Sequence, residues 1–136
     1  MVGAMLAAFG VTIGAFGAHG LESWVEENIE DMGERVRRLD NWQTGARYQM
    51  YHAFGLIMIG VAYPRLLPKV ANRAAWFMVL GIAIFSGGLY VLVLTGSNIL
   101  GAFVPLGGVC FLFGWVLFAV AAGRLPEYSM KAGKDV

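Results

Sequence analysis

His52 is the residue of this chain with the most chemistry to offer, because it follows Arg47, Tyr48 and Tyr51 at the start of an apolar stretch. Imidazole protonates near neutral pH, donates or accepts hydrogen bonds and ligates metals. Within a membrane span an ionisable group is costly, so it is paired or functional, and a buried His52 is expected first as a hydrogen-bonding link between helices, donating to Tyr90 or a backbone carbonyl. Helical spacing puts Tyr48 with His52, and Arg47 with Tyr51, four residues apart, each pair able to stack on one side of a helix. His19, Tyr90, Thr95 and Asn98 are the other polar candidates, and whether they join His52 depends on the elements that carry them.

Those elements are set by hydropathy. The 136 residues are 58% hydrophobic and only 14% charged, which departs from soluble composition. Eleven of the nineteen charged residues fall within residues 22–47, and long uncharged runs flank them. No Lys, Arg, Asp or Glu occurs in residues 74–123, a run far longer than the ~20 residues one crossing needs. The turn residues Thr95-Gly-Ser-Asn98 divide it in two. Residues 1–21 and the shorter 48–64 add two more spans. The expected fold is an all-α integral membrane protein, a single membrane domain of four transmembrane helices at about 2–19, 46–63, 74–95 and 99–122, with a polar tail at 124–136. A secretory leader in place of the first span would open on basic residues, and the first basic residue here is Arg35. Cys110 is a lone cysteine, read as a small apolar filler without a disulfide or cysteine metal site.

Leu21, Trp24, Val25, Ile29, Met32, Val36 and Leu39 recur at helical intervals through the charged segment, so an amphipathic interfacial helix is expected over about 21–40. The pairs Asp31 with Arg35 and Glu34 with Arg38 would support it, and Trp24 and Trp42 suit the interface. Six basic residues on the face bearing the termini, against four on the other, place both termini in the cytoplasm of a cell (inner) membrane. Small residues at Ala7, Gly10, Gly14 and Gly17, and at Gly87, Gly88, Gly107, Gly108 and Gly114, offer seams for close helix packing within the chain or between copies.

Four segments then read together: Gly14-Ala-Phe-Gly-Ala-His-Gly-Leu21, Thr44-Gly-Ala-Arg-Tyr-Gln-Met-Tyr-His-Ala53, Phe85-Ser-Gly-Gly-Leu-Tyr90, and Gly101-Ala-Phe-Val-Pro-Leu-Gly-Gly108 with Gly114-Trp115 beyond it. In this combination the chain resembles the small membrane-protein family of unknown function that includes the bacterial YgdD and YwdK proteins and an animal transmembrane relative. The resemblance runs from the first helix to the fourth and lapses in residues 22–40 and after Gly123. It implies a four-helix membrane bundle and brings no established activity, so no catalytic residue is carried over.

Counting crossings places His19, Arg47, Tyr48, Tyr51, His52, Tyr90, Thr95 and Asn98 in one leaflet. The expected function is a non-enzymatic scaffold or accessory subunit of a membrane complex, with membrane lipids, a second copy or other membrane proteins as partners. The alternative is a binder of a lipid or quinone-like molecule in an outer-leaflet pocket, with walls from Tyr48, Tyr51, Tyr90 and Phe103 and anchors at Arg47 and His52; His19 stands beside it as a further polar group. A haem held by His19 and His52 is a weaker alternative, because His19 sits at the membrane edge, and no cofactor is predicted. A proton-linked transporter lacks a membrane-embedded acid to complete a relay. No nucleophile elbow, carboxylate pair or His-Glu-x-x-His spacing points to an enzyme, and no basic patch points to nucleic acid.

Overall fold

The computed structural model describes residues 1–123, apart from the side chains of Asn98 and Leu100, and is helical with no strand among those residues. Helix α1 (Val2–Asn28) runs through a π-helical turn at Gly17–Leu21, and α2 covers Met32–Ala62. Helix α3 (Pro68–Thr95) contains a second π turn at Ile82–Ser86. A single turn, α4 (Asn98–Gly101), leads to α5 (Val104–Gly123). The expected polar tail at 124–136 lies outside the described residues. Helices α1, α3 and α5 are long and apolar enough to cross a membrane. Helix α2 is longer still, but Arg47, Gln49 and His52 interrupt its apolar half, which contains the span expected at 46–63.

The amphipathic helix expected over about 21–40 is two helix ends instead. Ile29 and Asp31 are extended and break the chain between α1 and α2. Asp31, expected to pair with Arg35, caps α2: its Oδ2 accepts the Glu34 N–H at 2.7 Å and satisfies an otherwise orphaned donor. Leu21 and Val25 turn inward onto Trp42 and Val93, so the segment's apolar residues build a small core of a helical hairpin. Trp24, Met32 and Val36 stay exposed.

Arg38 ties this hairpin to α3. Its Nη1 donates to the Val93 carbonyl at 2.8 Å, while Nε and Nη2 reach Glu34 at 3.0 and 2.5 Å. Val93 lies in the last turn of α3, where carbonyls lack helical partners and a cation is favoured. Gly96 ends that helix in the left-handed conformation, φ 70°, and a Cβ there would meet the guanidinium at 2.6 Å. Arg38→Ala is expected to lower stability by about 1–2 kcal/mol, measured by thermal unfolding in detergent. Arg38→Lys should recover only part, because an ammonium cannot bridge carboxylate and carbonyl as the planar fork does.

Helices α1 and α2 pack antiparallel along a seven-residue repeat of glycines. A Cβ on Gly3 would lie 2.8 Å from the Ala53 carbonyl oxygen, on Gly10 2.9 Å from the Met50 sulfur, and on Gly17 2.5 Å from the Trp42 ring. Gly14 has nothing within 4 Å, so the close contact runs along Gly3, Gly10 and Gly17 and leaves Gly14 out of the small-residue stripe expected at Ala7, Gly10, Gly14 and Gly17. The seam between α3 and α5 repeats the spacing: Gly107 faces the Phe85 backbone, and Gly114 faces Met78 and the Ala74 carbonyl. Around it Ala71, Ala74, Met78, Ile82 and Phe111 form the larger core with Leu56 and Ile59 of α2.

Candidate functional site

Helix α2 buries Trp42, Gly45, Gln49, His52, Leu56 and Ile59, a stripe at three- and four-residue steps, and it exposes Arg47, Tyr48 and Tyr51 beside that stripe. The polar cluster therefore divides into three parts. His19, on the first π turn, and Arg47 are both exposed, and Arg47 makes no hydrogen bond or ion pair with another described residue. Gly17 lies against Trp42, and His52 is ten residues further along α2, so about 15 Å of helix separates the two histidines. They do not converge on a common ligand.

The second part is an internal link that the sequence did not single out. Gln49 is 2% exposed; its Nε2 donates to the Leu6 carbonyl at 2.9 Å, and its Oε1 accepts the Tyr90 hydroxyl at 3.0 Å. One side chain thus joins α1, α2 and α3. One heptad earlier Trp42 donates its indole N–H to the Ile13 carbonyl at 3.0 Å and packs on Tyr90, with ring centroids 4.8 Å apart. Trp42, expected at the membrane interface, is 5% exposed and belongs to the bundle interior, because its N–H finds a backbone acceptor there. Tyr90, expected in the binding pocket, faces this link. Ser86, on the second π turn, is fully buried, and its hydroxyl has no partner among the described residues.

The third part is a groove of about 700 Å³ between α2, α3 and α5, lined by Tyr48, Tyr51, His52, Phe85, Phe111 and Trp115 among others. Pro105, Gly108, Val109 and Leu112 complete it. No Lys, Arg, Asp or Glu borders it, and Phe103, expected as a wall, does not line it. His52 is 4% exposed and stacks on Phe111, centroids 3.4 Å apart and planes at 11°. Tyr48 stacks beyond it at 6.1 Å, as the four-residue spacing predicts, and meets Phe85 at 4.7 Å. The His52 Nδ1 lies 2.6 Å from the Tyr48 carbonyl oxygen. That oxygen can only accept, so Nδ1 carries a hydrogen, and in neutral imidazole the Nε2 edge is a bare acceptor. His52 was expected to link helices by a hydrogen bond; its bond stays within α2, and Gln49 forms the links. Phe111 and Trp115 were legible only as an i, i+4 aromatic pair on the last helix.

The long apolar helices define an all-helical membrane protein. The chain belongs to the family described as "Protein of unknown function (DUF423)", whose profile matches residues 13–108 and so covers most of the motif segments. It is similar to the UPF0382 membrane protein YwdK of Bacillus subtilis (strain 168), 42% identical over 123 residues, 90% of this chain and 93% of that one. It is also similar to the UPF0382 membrane protein SH2409 of Staphylococcus haemolyticus (strain JCSC1435), 40% identical over 121 residues, 89% of this chain and 91% of that one. The family resemblance read from the motifs holds. No solved structure matches the chain.

Proposed function

We propose that the chain crosses the cell membrane four times, with both termini cytoplasmic, and binds an uncharged amphiphile in the groove beside His52. The fourth crossing is α2, whose buried Gln49 and His52 are turned away from lipid by the bundle. The excess of basic residues at Arg65, Lys69, Arg73 and the tail supports the orientation. Helices α1 and α2, of 27 and 31 residues, reach about 40 and 46 Å, longer than the roughly 30 Å hydrocarbon core. Their charged hairpin therefore sits in and beyond the outer headgroups.

The observation that carries the binding reading is the groove itself. A purely structural protein fills the space beside a buried polar group with its own side chains; here about 700 Å³ bordered by His52 is left open to the bundle surface. Apolar walls with few polar groups are what small-molecule sites have in common. Native mass spectrometry of the gently extracted protein, with a visible absorption scan, tests it. A stoichiometric neutral lipid is expected, retained by His19→Ala and lost from His52→Ala. A bare chain, or a chain held by protein partners, would favour a scaffold or accessory subunit.

A further inference from the structure

We infer that the groove receives the ring of a para-hydroquinone lipid and prefers this reduced form to the corresponding quinone; this rests on the binding reading above. The groove is bordered by no charged side chain, so it offers no partner to a phosphate or carboxylate headgroup, which would enter a low-dielectric site unpaired. Its walls are aromatic, from Tyr48, Tyr51, Phe85, Phe111 and Trp115, and they favour a flat ring that can stack or sit edge-on.

His52 sets the polarity of the inner end. Its Nδ1 hydrogen is committed to the Tyr48 carbonyl at 2.6 Å, and Phe111 covers one face of the ring. The Nε2 edge that remains can only accept. The other polar groups on the lining are the Tyr48 and Tyr51 hydroxyls and the Trp115 indole N–H. The hydroxyls rotate to donate or accept, and both tyrosines are exposed at the bundle surface rather than fixed in its interior. They adapt to either redox form. At His52 the forms differ: a hydroquinone O–H donates to Nε2, whereas a quinone carbonyl sets one lone pair against another in a largely desolvated position. No electron or proton transfer is needed for this selection.

The test is thermal and fluorescence titration of the full chain in dodecyl maltoside under argon, with a benzoquinol carrying a decyl tail and, separately, with its quinone. Full ring substitution keeps Cys110 from adding to the quinone. The reduced form is expected to bind at least about tenfold more tightly, the size of one buried acceptor left unpaired. In His52→Gln, whose amide can present either a donor or an acceptor, both forms should still bind while the ratio falls below about threefold. Equal affinities in the native chain, a preference for the quinone, or an unchanged ratio in His52→Gln would each overturn the selection. If neither form binds but a neutral lipid still co-purifies in a His52-dependent way, the hydroquinone class is wrong and the groove reading stands. If neither form binds and the extracted chain is bare, both fail.

Discussion

Gly107→Ala is expected to destabilise the bundle by about 2–3 kcal/mol, the upper range for overpacking a tight interior. The added methyl would lie 2.5 Å from the Phe85 backbone nitrogen and 2.9 Å from its Cα. Backbone cannot rotate aside as a side chain can, so α3 and α5 must move apart along the seam that Gly114 and Met78 also share. Phe85 lines the groove, so ligand-dependent stabilisation should fall with overall stability. Gly14→Ala is the matched control, since its methyl would meet nothing within 4 Å and alanine gains up to ~1 kcal/mol of helix propensity over glycine. The measurement is unfolding in mixed micelles as denaturing detergent is raised. A gain in Gly107→Ala equal to that in Gly14→Ala would mean that helix propensity, and not the α3–α5 contact, governs these glycines.

The contrast between these two glycines marks how far the sequence could be read. The apolar helices and the turns between them derive from hydropathy and turn residues, both of which are properties of the chain alone. Which small residues touch depends on rotation of each helix about its axis. A four-residue spacing, Gly10 with Gly14, and a seven-residue spacing, Gly3, Gly10 and Gly17, lie in the same segment, and only packing against Gln49, Met50 and Trp42 selects the second. The charged hairpin was hidden for a related reason. Leu21, Val25 and Ile29 continue the helical period up to a break that Asp31 makes by capping helix α2. Ionisability drew attention to His52 and Arg47; Gln49 carries no charge, yet it makes the interhelical bonds that a histidine was expected to make. Tyr90 and Tyr48 are both tyrosines on polar-cluster helices, but α3's rotation turns one to the link while α2's turns the other to the groove.

Gln49→Leu is expected to cost about 2–3 kcal/mol, although leucine has nearly the same volume and suits lipid better. Interhelical hydrogen bonds in membranes contribute about 0.6 kcal/mol on average and seldom more than ~1.7, so loss of the bond to the Leu6 carbonyl is the smaller part. The larger part is the Tyr90 hydroxyl, which donates to Gln49 and would be left without an acceptor inside the bundle, at roughly 1–3 kcal/mol for an orphaned buried group. Removing both partners should therefore cost less than removing one. Gln49→Leu with Tyr90→Phe is expected to recover about 1–2 kcal/mol of the single-variant loss, read in a double-mutant cycle by the same detergent unfolding. Tyr90→Phe alone is the informative corner: Gln49 keeps its bond to Leu6, and its carbonyl oxygen loses one donor. Additive losses would show that the two side chains are satisfied independently and that helices α1 and α3 are not coupled through Gln49. A rescue would place the junction of three helices on a single neutral amide, with His52 one turn away free of any structural hydrogen bond between helices.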